Sequence, residues 1–472
     1  MTATIVRFRN DLRIDDHPAL AAAILRGEPV IPLFIWSPDE AGDWAPGAAA
    51  RWWLDRSLRS LAADLQRRGS RLIIRSGDVH EQIAKLVEET AADALYWSRG
   101  YEPALLESDQ QLETSLTKRG LEAVSFSGHL LFDPDDVRTK QGNPYRVFTP
   151  FWKACLNLDP PREPTSAPRK IRAPQDWPAS ESIDSLGLAP QRDWAEQFSQ
   201  RWQPGEQGAN KKLKRFLKQA VADYETGRDQ PDDYGTSRIS PHLHFGEISP
   251  HKIWYALQTQ SGAGSQAYLR QLGWRDFAHH VLVHFPDTPD QPLRPQFGKF
   301  PWQHNATALR AWQRGQTGYP IVDASMRELW TTGWMHNRVR MIVASFLTKD
   351  LLIDWREGAR WFWDTLVDAD LANNTMGWQW TAGCGADAAP YFRIFNPVRQ
   401  GEKFDPAGDY VRQWVPELKS LPKKWIHNPW DAPADVLADA GVELGEDYPL
   451  PLVDHAEARK AALAAYEKIK GT

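Results

Sequence analysis

The chain has 472 residues, too many for one hydrophobic core, and reads as two or three domains. Its 42% hydrophobic and 25% charged residues are those of an ordinary globular protein, and its net charge of −5 means that any nucleic-acid contact needs a local basic patch. No apolar run reaches membrane-spanning length and no charged-then-apolar leader opens the chain, so a cytoplasmic location is expected; two cysteines, Cys155 and Cys384, exclude a disulfide framework and a four-cysteine cluster, and no metal is expected.

Residues 1–130 alternate short apolar runs with amphipathic stretches. Thr4–Phe8, Val30–Ile35, Leu72–Arg75, Ala94–Trp97 and Ala123–Phe126 read as strands. His17–Leu25, Ala48–Arg67, Val79–Glu89 and Ala104–Arg119 read as the helices between them. This alternation predicts an α/β domain with a doubly wound, Rossmann-like parallel sheet. Ligands of such sheets sit at the carboxyl ends of strands. Arg9-Asn10-Asp11-Leu12-Arg13 follows the first strand and is either a ligand edge or a structural ion-pair network. No Gly-rich phosphate loop is present, so a dinucleotide site in this domain is not supported.

Residues 131–205 read as an interdomain linker, with a run rich in Pro, Ser and charge from about 155. From 206 to 472 the pattern is helical, with apolar residues three and four apart in Lys211–Tyr224, Pro250–Gln260, Ala267–Val283, Ala306–Arg314, Pro320–Thr332, Asn337–Leu347, Trp355–Leu366 and Glu457–Lys468. There is no internal repeat. Fourteen of the 23 Trp lie from Trp254 onward, and most of these belong to a helical core.

Two stretches in this half suggest a ligand. Tyr234-Gly235-Thr236-Ser237-Arg238-Ile239-Ser240-Pro241 places three hydroxyls and an Arg before a Pro-initiated helix, which suits a pyrophosphate; a plain helix cap needs only one hydroxyl. Asp368 to Pro397 (DADLANNTMGWQWTAGCGADAAPYFRIFNP) combines Asp368, Asp370, Asn373, Asn374, Trp378, Gln379 and Trp380 with Gly377, Gly383 and Gly385. Acids, amides and flat apolar groups on a Gly-loosened backbone suit a large planar ligand with polar edges; a Trp-rich core with a turn is the other reading.

These motifs, with VRFRNDLRIDDHPAL at the N-terminus, YLRQLGWRDF (Tyr268–Phe277) and WMHNRVRM (Trp334–Met341), resemble the photolyase/cryptochrome family, most nearly its bacterial class I cyclobutane pyrimidine dimer photolyases. The resemblance runs over nearly the whole chain. It implies a monomeric, light-driven DNA lyase whose helical C-terminal domain binds FAD, with pyrimidine-dimer DNA as partner and no membrane. It places Tyr224, Thr236, Ser237, Arg238, Ile239, Ser240, Tyr268, Gln271, Arg275, Trp334, Asn337, Arg340, Asp368, Asp370 and Asn374 around the flavin. Ile239 stands where the family has Leu. Gln271, Trp274, Asn337, Met341 and Trp380 would line the lesion pocket, with Trp274 and Trp380 stacking on the flipped-out bases. Trp302, Trp355 and Trp378 take the places of the family's electron-transfer chain. Arg228, Trp274, Arg338, Trp380, Arg393 and Gln400 would face DNA; the downstream Arg412, Lys419, Lys423 and Lys424 read as solvated surface.

Four positions bear on the activity. Asn374 falls where photolyases have Asn, plant cryptochromes Asp and animal cryptochromes Cys; an amide oxygen there can accept from flavin N5–H and favours repair. Gln271 replaces a Glu usual in dimer photolyases, so it can donate a hydrogen bond but no proton, and it resembles (6-4) photolyases. Asn337 and Met341 stand where the (6-4) type has histidines, which argues for the dimer class. The neighbouring His336 reads as a packed helix residue. A cryptochrome-like receptor with little repair is the alternative. A second antenna chromophore, of deazaflavin or folate type, is left open, because Tyr101-Glu102-Pro103-Ala104-Leu105 is apolar where folate-binding relatives are polar.

Overall fold

A computed structural model describes residues 2–190, 193–232 and 235–470. Tyr234 of the hydroxyl-rich motif lies outside them. Five strands form one parallel sheet: β1 (Thr4–Phe8), β2 (Val30–Trp36), β3 (Ile73–Ser76), β4 (Ala94–Ser98) and β5 (Glu122–Phe126), in the order β3-β2-β1-β4-β5. The helices α1 (Pro18–Leu25), α2 (Ala48–Arg67), α3 (Val79–Thr90) and α4 (Pro103–Lys118) alternate with them, as the periodicity predicts. β1 and β2 are near-continuous apolar runs, the mark of a parallel sheet covered on both faces. Ile5, Ile31, Leu33 and Leu95 pack with Ile83 and Leu86 of α3 and Leu112 and Leu116 of α4 in one buried cluster. Asp78 starts α3 by accepting the Glu81 N–H at 2.9 Å, satisfying one of the donors that a helix start leaves over.

The Pro-rich run after α5 (Phe148–Cys155) carries no long helix, yet it is tied down. Ile171 N–H donates to Arg68 O, Val30 N–H to Arg172 O and Glu181 N–H to Ile74 O, each at 2.9 Å. These bonds satisfy backbone groups at the edge of the sheet domain.

The rest of the described chain is helical. The helices that carry the motifs are α6 (Glu206–Gln219), α7 (Ser240–His244), α8 (Ala263–His284), α9 (Pro320–Thr332), α10 (Asn337–Ser345), α11 (Trp355–Thr365), α12 (Leu371–Ala382) and α13 (Pro397–Phe404). α6 starts and stops about five residues before the stretch predicted at 211–224. The chain forms two compact units. One comprises Met1–Ala222, Ser237–Pro286 and Val367–Ala372; the other comprises Asp223–Thr236, Asp287–Leu366 and Asn373–Thr472. No helix among the described residues is long and apolar enough to cross a membrane.

Candidate functional site

In the first unit the end of the sheet is closed by its own side chains. The strand order reverses between β1 and β4, the place where doubly wound sheets take ligands. Arg9 fills it. Its guanidinium pairs with both oxygens of Asp109, at 3.1 and 2.8 Å, and reaches Ser98 O. A Cβ on Gly100 would stand 2.7 Å from that guanidinium. Asp11 pairs with His17 at 2.8 Å, and Arg13 donates to Asp16 O, Gly128 O and Gly246 O. The ion-pair reading of this loop is the one the geometry favours.

Ser237 opens the hydroxyl-rich segment of this unit. Its Oγ lies 2.7 Å from the Tyr268 hydroxyl and accepts from Ile239 N–H at 3.3 Å. Arg238 has φ of 52°, a left-handed backbone that an L side chain adopts only when its surroundings impose it. Ile239 is fully buried and Ser240 starts the short α7.

Along α8, Gln271 donates to Ala267 O of its own helix at 3.3 Å. Trp274 stacks on Phe148, with centroids 3.8 Å apart and planes 10° from parallel. One face of this expected lesion-stacking ring is therefore covered by the protein. Arg275 is buried and points at His129, donating to its carbonyl and to its Nε2, both at 2.6 Å. Burial, then the charges of Arg275 and His279, hold the His129 ring well below its ordinary pKa, so it stays a neutral acceptor.

Asp368 and Asp370 are both buried. Asp370 lies 3.4 Å from His279 Nε2 and 3.9 Å from His244 Nδ1. Burial pushes its carboxyl up, but the charge of His279, the polar edges of the His244 and His279 rings, and the charge of Arg275 hold it well below the usual carboxylate range. The opposite happens at Glu102: burial and then the charge of Asp370 push it up to about 7. One acid is thus held ionised while its neighbour titrates near neutrality. Sequence reading missed His129, His244, His279 and Glu102, which come from four separate stretches of the chain. His129, His279 and Asp370 bring one ligand atom each within 4.8 Å of the others, but the Arg275 donor occupies His129 Nε2, so a cation already stands at the edge of this group.

In the second unit, Thr236 has a buried Oγ1 with no hydrogen-bond partner among the described residues. Nearby, a Cβ on Gly235 would stand 2.2 Å from Gly227 O, so only glycine fits this approach. Tyr224 is buried, and the Arg228 guanidinium lies 5.8 Å from its ring centroid. Arg338 donates to Asp229 at 2.6 Å and lies over Phe404 at 4.3 Å. Asn337 and Met341 are four apart on α10 and share a face. His336 caps that helix by accepting Arg338 N–H at 3.2 Å, the packed role expected of it. Trp334 is buried, and Arg340 donates to Met335 O at 2.8 Å. Arg393 is exposed, with its guanidinium 5.8 Å from the Phe395 ring, and Gln400 is half-buried on α13.

The stretch from Leu371 to Ala382 is a helix, which corrects its reading as a Gly-loosened backbone. Gly377 is mid-helix, exposed, and has room for a Cβ. Gly383 has φ of 88° beyond the helix end, and a Cβ on Gly385 would stand 2.7 Å from Gln379 Cβ. Two of the three glycines thus serve the helix exit, not a ligand. Asn374 donates its Nδ2 to Ala359 O at 3.0 Å, which fixes the amide and turns its acceptor oxygen the other way. Gln379 donates to Thr288 O at 2.6 Å and Gln291 O at 2.8 Å, and accepts from Leu293 N–H at 3.0 Å. Trp378 is buried on Gly358, 5.0 Å from Phe362 and 6.1 Å from Trp312. Trp355 is also buried, whereas Trp302 and Trp380 are half-exposed. Trp302 packs 4.3 Å from Phe300.

Comparison with known proteins matches residues 4–169 to the DNA photolyase family model and residues 268–468 to the FAD binding domain of DNA photolyase. A deoxyribodipyrimidine photo-lyase of Agrobacterium fabrum is 50% identical over 99% of this chain and 98% of its own length. The chain belongs to the photolyase/cryptochrome family. A crystal structure named as a bacterial class III photolyase from Agrobacterium tumefaciens superposes with a TM-score of 0.97 at 49% identity, covering 100% of this chain and 98% of that one. Cryptochrome-1 of Arabidopsis thaliana is 40% identical over 97% of this chain and 69% of its own length. A sheet domain followed by a helical FAD-binding domain is the architecture these photolyase and cryptochrome structures share. The residues present fit FAD: the orphaned Thr236 hydroxyl and the left-handed Arg238 suit phosphate, and the anchored Asn374 amide suits a ring N–H.

Proposed function

We propose that this protein repairs cyclobutane pyrimidine dimers in DNA by light-driven electron transfer, acting as a monomer. FAD, when bound in reduced form, supplies the photoexcited electron. Residues 1–130 form the sheet domain in this reading, 131–205 the linker and 206–472 the domain that holds flavin and DNA. Tyr224, Thr236, Ser237, Arg238, Ile239, Ser240 and Tyr268 hold the phosphate end, and Arg275, Trp334, Arg340, Asp368 and Asp370 the ribityl chain and ring edges. Asn374 carries the reading: its Nδ2 is anchored on Ala359 O, leaving Oδ1 as an acceptor. An acceptor at that place suits flavin carrying a proton on N5.

Trp274 and Trp380 stack on the extruded dimer, and Phe148 backs Trp274 from behind. Gln271 donates one hydrogen bond to the lesion, while Asn337 and Met341 line it. Trp302, Trp355 and Trp378 carry electrons inward from the surface, which agrees with the half-exposed position of Trp302 and the burial of the other two. Arg228, Arg338, Arg393 and Gln400 face the DNA backbone. Arg338 shares Asp229 with Arg228, so DNA binding exchanges that acid for phosphate. The class III name of the 49% identical structure favours that subclass over the class I expected from sequence.

The test is illumination of the purified, photoreduced protein with a thymine-dimer oligonucleotide, beside a (6-4) oligonucleotide and a dark control. Loss of the dimer in light alone is expected. Repair of only the (6-4) lesion would overturn the weight placed on Met341. Failure on both, with flavin that still photoreduces, would favour a receptor, a reading to which the 40% identity with a plant cryptochrome and the amide at Gln271 lend weight. The Gln271→Glu variant then shows whether that amide is responsible.

A further inference from the structure

One basic side chain is built into the wall of the Ser237–Ser240 segment and belongs to no motif. Lys212 sits on α6, with Gly208 one turn before it and Phe216 one turn after, so the three share a face. Gly208 meets α7: a Cβ there would stand 3.2 Å from the His242 ring. Phe216 meets α8: its ring lies 4.5 Å from Tyr268. Tyr268 in turn bonds Ser237 Oγ at 2.7 Å. His242 and Tyr268 flank the segment that carries Ser237 and Arg238, and Lys212 lies between their contacts on α6.

The ammonium of Lys212 is held 4.5 Å from the Trp202 ring centroid. No described carboxylate is within ion-pair distance of it. The charged groups that act on it, among the described residues, are cationic: Arg238 on the segment, and Arg215 and Lys211 on its own helix. Of its neighbours on α7, His242 is already paired with Glu247. Burial, followed by the charges of Arg238, Arg215 and Lys211, pushes the amine down to about 8. An ammonium that burial and like charges both disfavour is stabilised by a counter-ion.

We infer that Lys212 is a phosphate ligand, which with Ser237 and Arg238 holds the pyrophosphate of FAD. The inference rests on the flavin reading above. A dianionic pyrophosphate supplies a counter-charge for Lys212, and an ammonium beside it forms charge-assisted hydrogen bonds.

The test uses the full-length protein. FAD dissociation is measured by flavin fluorescence for the wild type, Lys212→Met and Lys212→Arg. The Met variant should bind FAD on the order of tenfold more weakly, as expected for one lost charge-assisted bond, and its affinity should depend less on salt. The Arg variant keeps the charge and should stay within about threefold of the wild type. Independently of any variant, acylation of Lys212 in the wild type, read by peptide mass spectrometry, should slow on the order of tenfold when FAD is bound. Equal FAD affinity in the Met variant, or equal acylation with and without FAD, overturns the assignment. If the Met variant does not fold, acylation of the wild type decides alone. A wild type that binds no FAD at all sinks the flavin reading and this one together.

Discussion

Trp378 rests on a glycine with no room to spare. A Cβ on Gly358 would stand 2.0 Å from its ring, closer than any relaxed contact. Gly358→Ala therefore has to move an indole that is expected to relay electrons. It should cost about 1–3 kcal/mol in urea unfolding and slow light-driven flavin reduction. Unchanged unfolding would mean that the ring has slack. Gln379, next along α12, uses both its amide hydrogens and its oxygen to pin residues 288–293. Gln379→Leu removes all three bonds from a buried place, and a loss of about 2–4 kcal/mol is expected. A smaller loss in the same unfolding experiment would show that water or a shifted loop replaces them.

At the scale of the element, the turn after β4 and the Val367–Ala372 stretch place two carboxyls under opposite influences. Glu102 titrates at about 7, above its ordinary 4.5, so its acid form suits the fold. Its contribution is complete below about 4.5 and is lost as pH rises towards 7. Asp370 is depressed, so its contribution is present at neutral pH and disappears in acid. The Glu102→Gln variant should lack the decline in stability that the wild type shows over this pH window; parallel curves would remove Glu102 as the cause. None of this was legible in sequence. Asp370 is visible as a paired carboxylate, but its partners His129, His244 and His279 are distant in the chain, and no local pattern links them. α12 was misread for a different reason. Gly377, Gly383 and Gly385 suggest an open backbone, yet tertiary packing holds a helix through Gly377, whose cost of about 1 kcal/mol is small against that packing. The strands of the sheet were legible to within a residue or so, because short, largely apolar runs between amphipathic helices admit few other arrangements.

The molecule as a whole carries −5 charge, so its approach to DNA must be local. Arg393 is exposed, and among the described residues its guanidinium makes only a distant ring contact. Arg393→Ala should weaken binding to lesion and undamaged duplex alike and reduce the slope of log affinity against log salt by about one. A loss confined to the lesion duplex would instead place Arg393 at the damaged bases. Arg338 is different, since removing it also releases Asp229. Arg338→Ala leaves that acid facing the DNA, and its loss of affinity should exceed that of Arg393→Ala under the same conditions.

Arg9 also has a consequence for the sheet domain. Where a nucleotide-binding sheet admits a guest, this one has furnished a resident from its own chain, seated on Asp109 and beside Glu40. Removing the resident by Arg9→Ala would leave a void with the shape and charge of a guanidinium. Free methylguanidinium, added well below denaturing concentrations, should then bind there and restore part of the lost stability, while leaving the wild type unaffected. The end of the sheet would in that case act as a receptor for a small cation, with a specificity already present in the fold.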